Sequence, residues 1–203
     1  LRLGDMALKY LDGDDVELVY HAEVHRLATL DPLTGIANKR HVQEILTRAF
    51  RRAVRHERPL ALLVFDIDHF KTINDRWEHL AGDCILHDLA AAVSRRIRRD
   101  EVLARYGGEE FLVVMPESGL PQAKELAEAI RALVEAERFS FGETPIPVTV
   151  SVGAAVLRAD HMATPDDLLN AADHAMYKAK AAGRNCIAAD DPPSHALLPS
   201  GKA

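Results

Sequence analysis

The sequence predicts an α/β or α+β protein, a sheet covered by helices. Three observations predict it. LALLVF at 60–65 is an unbroken apolar run, the pattern of a strand buried on both faces. VLARY at 102–106 and FLVVM at 111–115 are strand-like runs flanking Gly107-Gly108-Glu109-Glu110, and paired glycines supply the positive φ angles of a tight hairpin turn. Segments with helical apolar spacing lie between these runs.

Taken in order, residues 1–12 (LRLGDMALKYLD) read as the end of a strand. A helix is expected from 14 to about 30, because Val16, Tyr20, Val24 and Leu27 fall on one face. Such a helix is either a connector or dimer stalk, or it packs on its own domain. Asp31-Pro32-Leu33-Thr34-Gly35 makes a turn, and a helix over 38–56 stops at Arg58-Pro59. The strand at 60–65 runs out in Asp66-Ile67-Asp68. The next helix is expected over 84–98, with Ile85, Leu86, Leu89, Ala92, Val93 and Ile97 facing inward. After the hairpin come a helix over 121–138, a strand over 148–157 and a helix over 165–182 with Gly183 as its C-terminal cap. A short strand at 185–188 closes the domain. The Pro- and Ser-rich tail, 189–203, is expected to be disordered.

Composition narrows the function. Of 203 residues, 28% are charged and 48% hydrophobic, so one soluble domain can bury a core without disulfides or a structural metal. The net charge of -6 argues against a nucleic-acid or membrane-surface partner, which needs a basic face. Cys84 and Cys186 match no close metal-ligand spacing, and a reduced, cytoplasmic setting is expected. No apolar run is long enough to span a bilayer. The chain starts with Leu and is read as a piece of a longer protein, with 1–30 the end of a preceding domain plus a connector helix.

The chemistry concentrates at two acidic pairs. Asp66 and Asp68 end a buried strand, while Glu109 and Glu110 sit in the hairpin turn. If these strands are neighbours, the carboxylates converge at one sheet edge, where mutual repulsion calls for a cation. Mg2+ suits hard oxygen ligands and substrate phosphates. Solvated strand-end and turn carboxylates are the plainer alternative. Lys71 follows Asp68 closely, and Lys180 and Arg184 bracket Gly183, as a phosphate grip would. Lys178 is assigned to the helix dipole or to solvent. Asn74 and Asp83 supply groups able to read a guanine edge, though turn roles fit them equally.

Five blocks then resemble, in order, the GGDEF family of diguanylate cyclases. Asp31-Pro32-Leu33-Thr34-Gly35-Ile36-Ala37-Asn38-Lys39-Arg40 resembles the family's DxLTGLxNRR entry. Residues 65–75 (FDIDHFKTIND) resemble FDIDxFKxIND, and 105–111 (RYGGEEF) the signature hairpin in its GGEEF form. Residues 151–155 (SVGAA) and 172–185 (ADHAMYKAKAAGRN) resemble the SxGxA strand and the closing ADxAMYxAKxxGRN helix. The resemblance covers about 31–188.

It implies an α+β fold (an α/β sandwich), a central, mostly antiparallel sheet wrapped by helices as in nucleotidyl cyclases and polymerase palms. It implies condensation of two GTP into cyclic di-GMP and two pyrophosphates by a homodimer, with an upstream regulatory domain in the full-length protein. It implies a pair of Mg2+ ions per site, or Mn2+, held by Asp66, the Ile67 carbonyl and Glu109. Glu110 joins the metal shell or helps deprotonate the ribose 3′-hydroxyl. Gly107 and Gly108 admit the α-phosphate. Lys71, Lys180 and Arg184, with backbone N–H groups around His69 and Phe70, hold the β- and γ-phosphates, and Asn74 and Asp83 match the guanine-reading pair. Asp68 receives no ligand role. A catalytically silent nucleotide sensor is the alternative, and the intact acidic and basic set counts against it. A phosphodiesterase has no support, and Asp83 disfavours an adenine substrate, whose N6 donates and N1 accepts.

Two departures stand out. Where the family reads FGHxxGD, this chain has Trp77-Glu78-His79-Leu80-Ala81-Gly82-Asp83. If position 78 needs positive φ, Glu there costs about 1 kcal/mol or more. The family's RxxD product-inhibition motif is Arg98…Glu101 here, and the extra methylene shifts the carboxylate by about 1.5 Å. The opening residues also resemble the last strands of a forkhead-associated domain, a short match carrying none of that module's phosphate-binding residues.

Overall fold

A computed structural model describes residues 2–3, 6–7, 13–158 and 161–190 of the chain. Two-residue strands β1 (Arg2–Leu3) and β2 (Met6–Ala7) pair antiparallel and precede helix α1 (Gly13–Thr29). The rest of the strand region expected at 1–12, and the tail at 191–203, lie outside the described residues. Of the apolar row on α1, Tyr20 is 65% exposed, Leu27 60% and Val24 44%, so these side chains do not pack on their own domain. The side chain of Val16 is outside the described ones.

Helix α2 (Lys39–His56) starts where Asn38 accepts from the His41 N–H and stops at Glu57, whose φ of 50° is left-handed. Its buried side chains Val42, Leu46, Phe50 and Ala53 recur at helical spacing. Strand β3 (Leu60–Ile67) is buried at every position, as a central strand covered on both faces must be. Helix α3 (Phe70–Ser94) begins fourteen residues before the expected start at 84 and stops short of 98. The hairpin is β4 (Val102–Gly107) and β5 (Glu110–Pro116). Then come α4 (Leu120–Ala136), the small hairpin β6 (Ser140–Phe141) and β7 (Thr144–Pro145), β8 (Val150–Val156), α5 (Pro165–Ala181) and β9 (Ile187–Ala189).

The main sheet has the order β4-β5-β3-β8-β9. All neighbours are antiparallel except β8 and β9, so the sheet is mixed but mostly antiparallel. Side chains alternate across β3. Leu63, Phe65 and Ile67 join α3 and α4 on one face, while Leu60, Leu62 and Val64 join α2 and α5 on the other. Two cores therefore sandwich one sheet. A Cβ on Gly153 would collide with the Ala172 carbonyl and the Met176 backbone, so glycine there lets α5 lie directly on β8.

Candidate active site

The alternation along β3 sends Asp66 to the α5 face, where it meets Lys180. Lys180 Nζ lies 2.9 Å from Asp66 Oδ1, and the Asp66 side chain is only 8% exposed. Burial pushes the Asp66 carboxyl up; Lys180 partly offsets this, and the nearby Glu109 and Glu110 charges push it up again, to about 6. The hairpin turn reaches the same edge. Asp66 is opposite Glu110 in register, and the Ile67 N–H donates to the Glu109 carbonyl at 3.3 Å.

Gly107 and Gly108 are exposed, and a Cβ on either would meet no protein atom within 4 Å. Internal packing therefore does not demand glycine there. Gly108 has φ of 49°, which the turn does demand, and the bare backbone faces open space.

Beside the turn is a cleft of about 390 Å³ whose lining includes Phe70, Lys71, Asn74, Asp83, Gly108 and Glu109. Asn74 Oδ1 is buried there without a hydrogen-bond partner. It fits only because position 82 is glycine, for a Cβ on Gly82 would fall on that oxygen. Gly82 is a functional position that spacing alone does not reveal, and its match to the second glycine of FGHxxGD is the signal that marks it. His69, at φ 57°, precedes α3 without a side-chain cap, leaving first-turn N–H groups beside Lys71 free to meet an anion. Arg184 is exposed in the turn after α5, and neither it nor Lys180 lines the cleft. A second cleft of similar size, about 380 Å³, holds Arg48, Arg52 and Arg58 and shares no residue with this one.

Asp68, given no ligand role by the sequence, is the hub of the supporting structure. Its carboxylate accepts from Ser151 Oγ and Thr149 Oγ1, each at 2.7 Å, and from the Asn185 N–H at 3.0 Å. Asn185 also donates to Glu135, and its Oδ1 accepts from Arg131. The turn 183–185 contains Gly183, Arg184 and Asn185, all at positive φ. Asp68 thus pins the turn that carries Arg184 to the central strand.

The entry turn is tied to the hairpin. Asp31 Oδ1 accepts from the Thr34 N–H and hydroxyl at 2.9 and 2.7 Å. Arg105 reaches the same carboxylate at 3.3 Å and donates through Nε to the Gly108 carbonyl at 2.9 Å. Burial raises the Asp31 carboxyl, but the Thr34 bonds and the Arg105 charge outweigh it and hold the group below the usual carboxylate range.

The other expectations are met unevenly. Helix α3 runs unbroken through position 78, so no left-handed backbone is required there and the anticipated strain of Glu78 does not arise; its side chain is outside the described ones. Glu101 is buried and accepts from the Arg98 N–H at 2.7 Å, which turns the carboxylate onto its own chain. Arg98 is exposed, and both residues line a shallow cleft of about 280 Å³ with Arg96.

Among the described residues, no three His, Cys, Asp or Glu side chains are gathered closely enough to hold a metal by themselves. The Glu109 and Glu110 charges reach Asp66, and oxygen donors of this kind suit Mg2+, which completes its shell with substrate phosphates and water. A buried carboxylate already requiring a cation fits that use.

This arrangement, a mostly antiparallel palm-like sheet with acidic groups at one strand end and in the adjoining glycine hairpin, defines a class. The model of the diguanylate cyclase GGDEF domain matches residues 28–186, and the chain belongs to that family. It is 39% identical over 166 residues to diguanylate cyclase DgcP of Pseudomonas aeruginosa, covering 81% of this chain and 24% of that protein. It is 39% identical over 163 residues to the response regulator PleD of Caulobacter vibrioides, covering 79% of this chain and 36% of that one. The chain therefore spans about a quarter to a third of the length of these curated relatives. The coiled coil and GGDEF domain of DgcB from Caulobacter crescentus, solved in complex with c-di-GMP, superposes with a TM-score of 0.80 at 32% identity, covering 87% of this chain and 93% of that one. No described helix is long and apolar enough to cross a membrane.

Proposed function

We propose that this domain is an active diguanylate cyclase that condenses two GTP into cyclic di-GMP and two pyrophosphates. The carrying observation is buried Asp66, paired with Lys180 and flanked by the glutamates of the glycine hairpin, beside a cleft with an unsatisfied Asn74 acceptor. Asp66, the Ile67 carbonyl and Glu109 would hold Mg2+, or Mn2+. The metal, when bound, supplies charge that acidifies the attacking hydroxyl and neutralises the leaving pyrophosphate.

The remaining roles fall to the chain's own groups. Asn74 and Asp83 orient guanine, Asp83 accepting from its N1 and N2 hydrogens. Lys71, Lys180 and Arg184 meet the β- and γ-phosphates, with the N–H groups at His69 and Phe70. Gly107 and Gly108 give the α-phosphate a close backbone approach. Glu110 completes the acidic shell or accepts the 3′-hydroxyl proton. The 3′-oxygen of one GTP then bonds to the α-phosphorus of the other as pyrophosphate leaves, and the reciprocal step closes the ring.

Each domain binds one GTP, so catalysis requires two copies face to face. The exposed row Tyr20, Val24 and Leu27 on α1 supports a dimer stalk that sets their geometry, linked in the whole protein to an upstream regulatory domain. Deleting residues 1–28 is expected to weaken both self-association and turnover. At the product-inhibition position exposed Arg98 is open to cyclic di-GMP while the Glu101 carboxylate is held by its own chain, which leaves inhibition by product an open outcome, and a cytoplasmic setting supplies GTP. The test is to incubate the protein with GTP and Mg2+ and identify the products by chromatography, with Glu110→Ala alongside. Cyclic di-GMP from the parent and a variant that binds GTP but does not turn over support the reading. GTP binding without product by the parent supports a silent sensor instead.

A further inference from the structure

We propose that Lys180 is a tethered counter-ion for Asp66, one that a divalent metal must displace, so that metal entry depends on nucleotide. The proposal rests on the metal–nucleotide reading of this site and adds to it an order of assembly. The Lys180 ammonium sits 2.9 Å from Asp66 Oδ1, with side-chain exposures of 29% and 8%. Glu109 and Glu110 add negative charge around the same carboxylate. A metal arriving alone competes with an ammonium already seated on its ligand, in surroundings where opposite charges attract more strongly than in water.

A metal arriving with a triphosphate meets a different balance. The phosphates offer Lys180 a new anionic partner, and its flexible four-carbon stem lets the ammonium turn from carboxylate to phosphate while the backbone stays fixed. That backbone is anchored, because α5 lies directly on β8 at Gly153 and the Arg184 N–H bonds the Ala179 carbonyl. Only the lysine head need move. By linkage, nucleotide then raises metal affinity by the same factor by which metal raises nucleotide affinity. Such a device keeps the acidic shell from holding metal unproductively.

The test measures Mn2+ binding by electron paramagnetic resonance of the free ion, with no turnover. Mn2+ is titrated alone, and then with a GTP analogue carrying methylene between the α- and β-phosphorus. Lys180→Met is compared with the parent and with Lys178→Met, which removes an exposed charge from the same helical turn. Lys180→Met is expected to bind Mn2+ alone about fivefold or more tightly than the parent, and Lys178→Met within about twofold of it. The enhancement produced by the analogue should shrink in Lys180→Met. Equal or weaker Mn2+ binding by Lys180→Met overturns the proposal alone. Absence of Mn2+ binding by all three proteins with the analogue present overturns the underlying site reading as well. Circular dichroism checks folding, and Lys180→Gln replaces the Met variant should that not fold.

Discussion

Asp31 and Arg105, 74 residues apart in sequence, hold one another across 3.3 Å, and through this contact the turn after α1 is joined to the glycine hairpin. The main chain makes the same connection, since the Arg105 N–H donates to the Ala37 carbonyl and the Asn38 N–H to that of Thr29. A shift at the end of α1 therefore has a short path of polar contacts to Gly108.

Arg105→Ala is expected to lower kcat/KM for GTP at least about tenfold, because it frees the Gly108 carbonyl and removes a side chain from the wall of the cleft that holds Asn74 and Asp83. Both partners are only 17% exposed, so the stability loss should be about 1–2 kcal/mol by urea denaturation. Arg105→Lys should recover little activity, since one ammonium does not span carboxylate and carbonyl as the guanidinium does. Unchanged kcat/KM in Arg105→Ala would remove the clamp from the account.

Asp66 predicts an unusual pH dependence. Its folded-state pKa, raised to about 6, exceeds that of an unfolded aspartate near 4, so the folded protein binds more protons between these values. Stability of the metal-free protein should therefore fall as pH rises from about 4 to about 6, by on the order of 2–3 kcal/mol from this group. Asp66→Asn should remove that fall and be more stable than the parent at pH 7 without metal. Urea denaturation at several pH values, parent against variant, measures the difference. An Asp66-dependent rise in stability over the window contradicts it.

The site was legible in the sequence to the extent that it lies at strand ends. The buried run at 60–65 and the glycine pair gave β3, β4 and β5, and antiparallel pairing of β3 with β5 brings Asp66 opposite Glu110. The start of α3 was not legible, because His69 offers no side-chain cap and the residues from 70 to 81 bury only three apolar side chains, Phe70, Ile73 and Ala81, with none between 74 and 80. Strands β6 and β7 have two residues each, too few to show alternation. The role of Asp68 was hidden for another reason, since its partners at 149, 151 and 185 are distant in sequence and meet only when β8 and the turn after α5 pack against β3.

Asp68→Ala should cost about 2–4 kcal/mol, because it leaves two hydroxyls and a backbone N–H without their buried acceptor. GTP affinity should fall as the Arg184 turn loosens, and Asp68→Asn should recover part of each loss. Denaturation and equilibrium GTP binding report the two effects separately. Lost stability with unchanged GTP affinity would confine Asp68 to the core.

Gly82→Ala places a methyl where Asn74 Oδ1 now lies. The side chain must swing away, so GTP binding should weaken about tenfold while the helix, gaining alanine for glycine, keeps its stability within about 1 kcal/mol. Selectivity for GTP over ATP should narrow in the same variant. Calorimetric titration of both nucleotides checks this, and full retention of GTP affinity would place Asn74 outside guanine recognition.

The central claim, that two copies of this domain join two GTP, is tested most directly by the rate of cyclic di-GMP formation per domain as protein concentration is raised. With Mg2+ and saturating GTP, the account predicts cyclic di-GMP with two pyrophosphates per product, at a rate per domain that climbs with concentration and levels off once dimers dominate. No cyclic di-GMP at any concentration, with either Mg2+ or Mn2+, would contradict it.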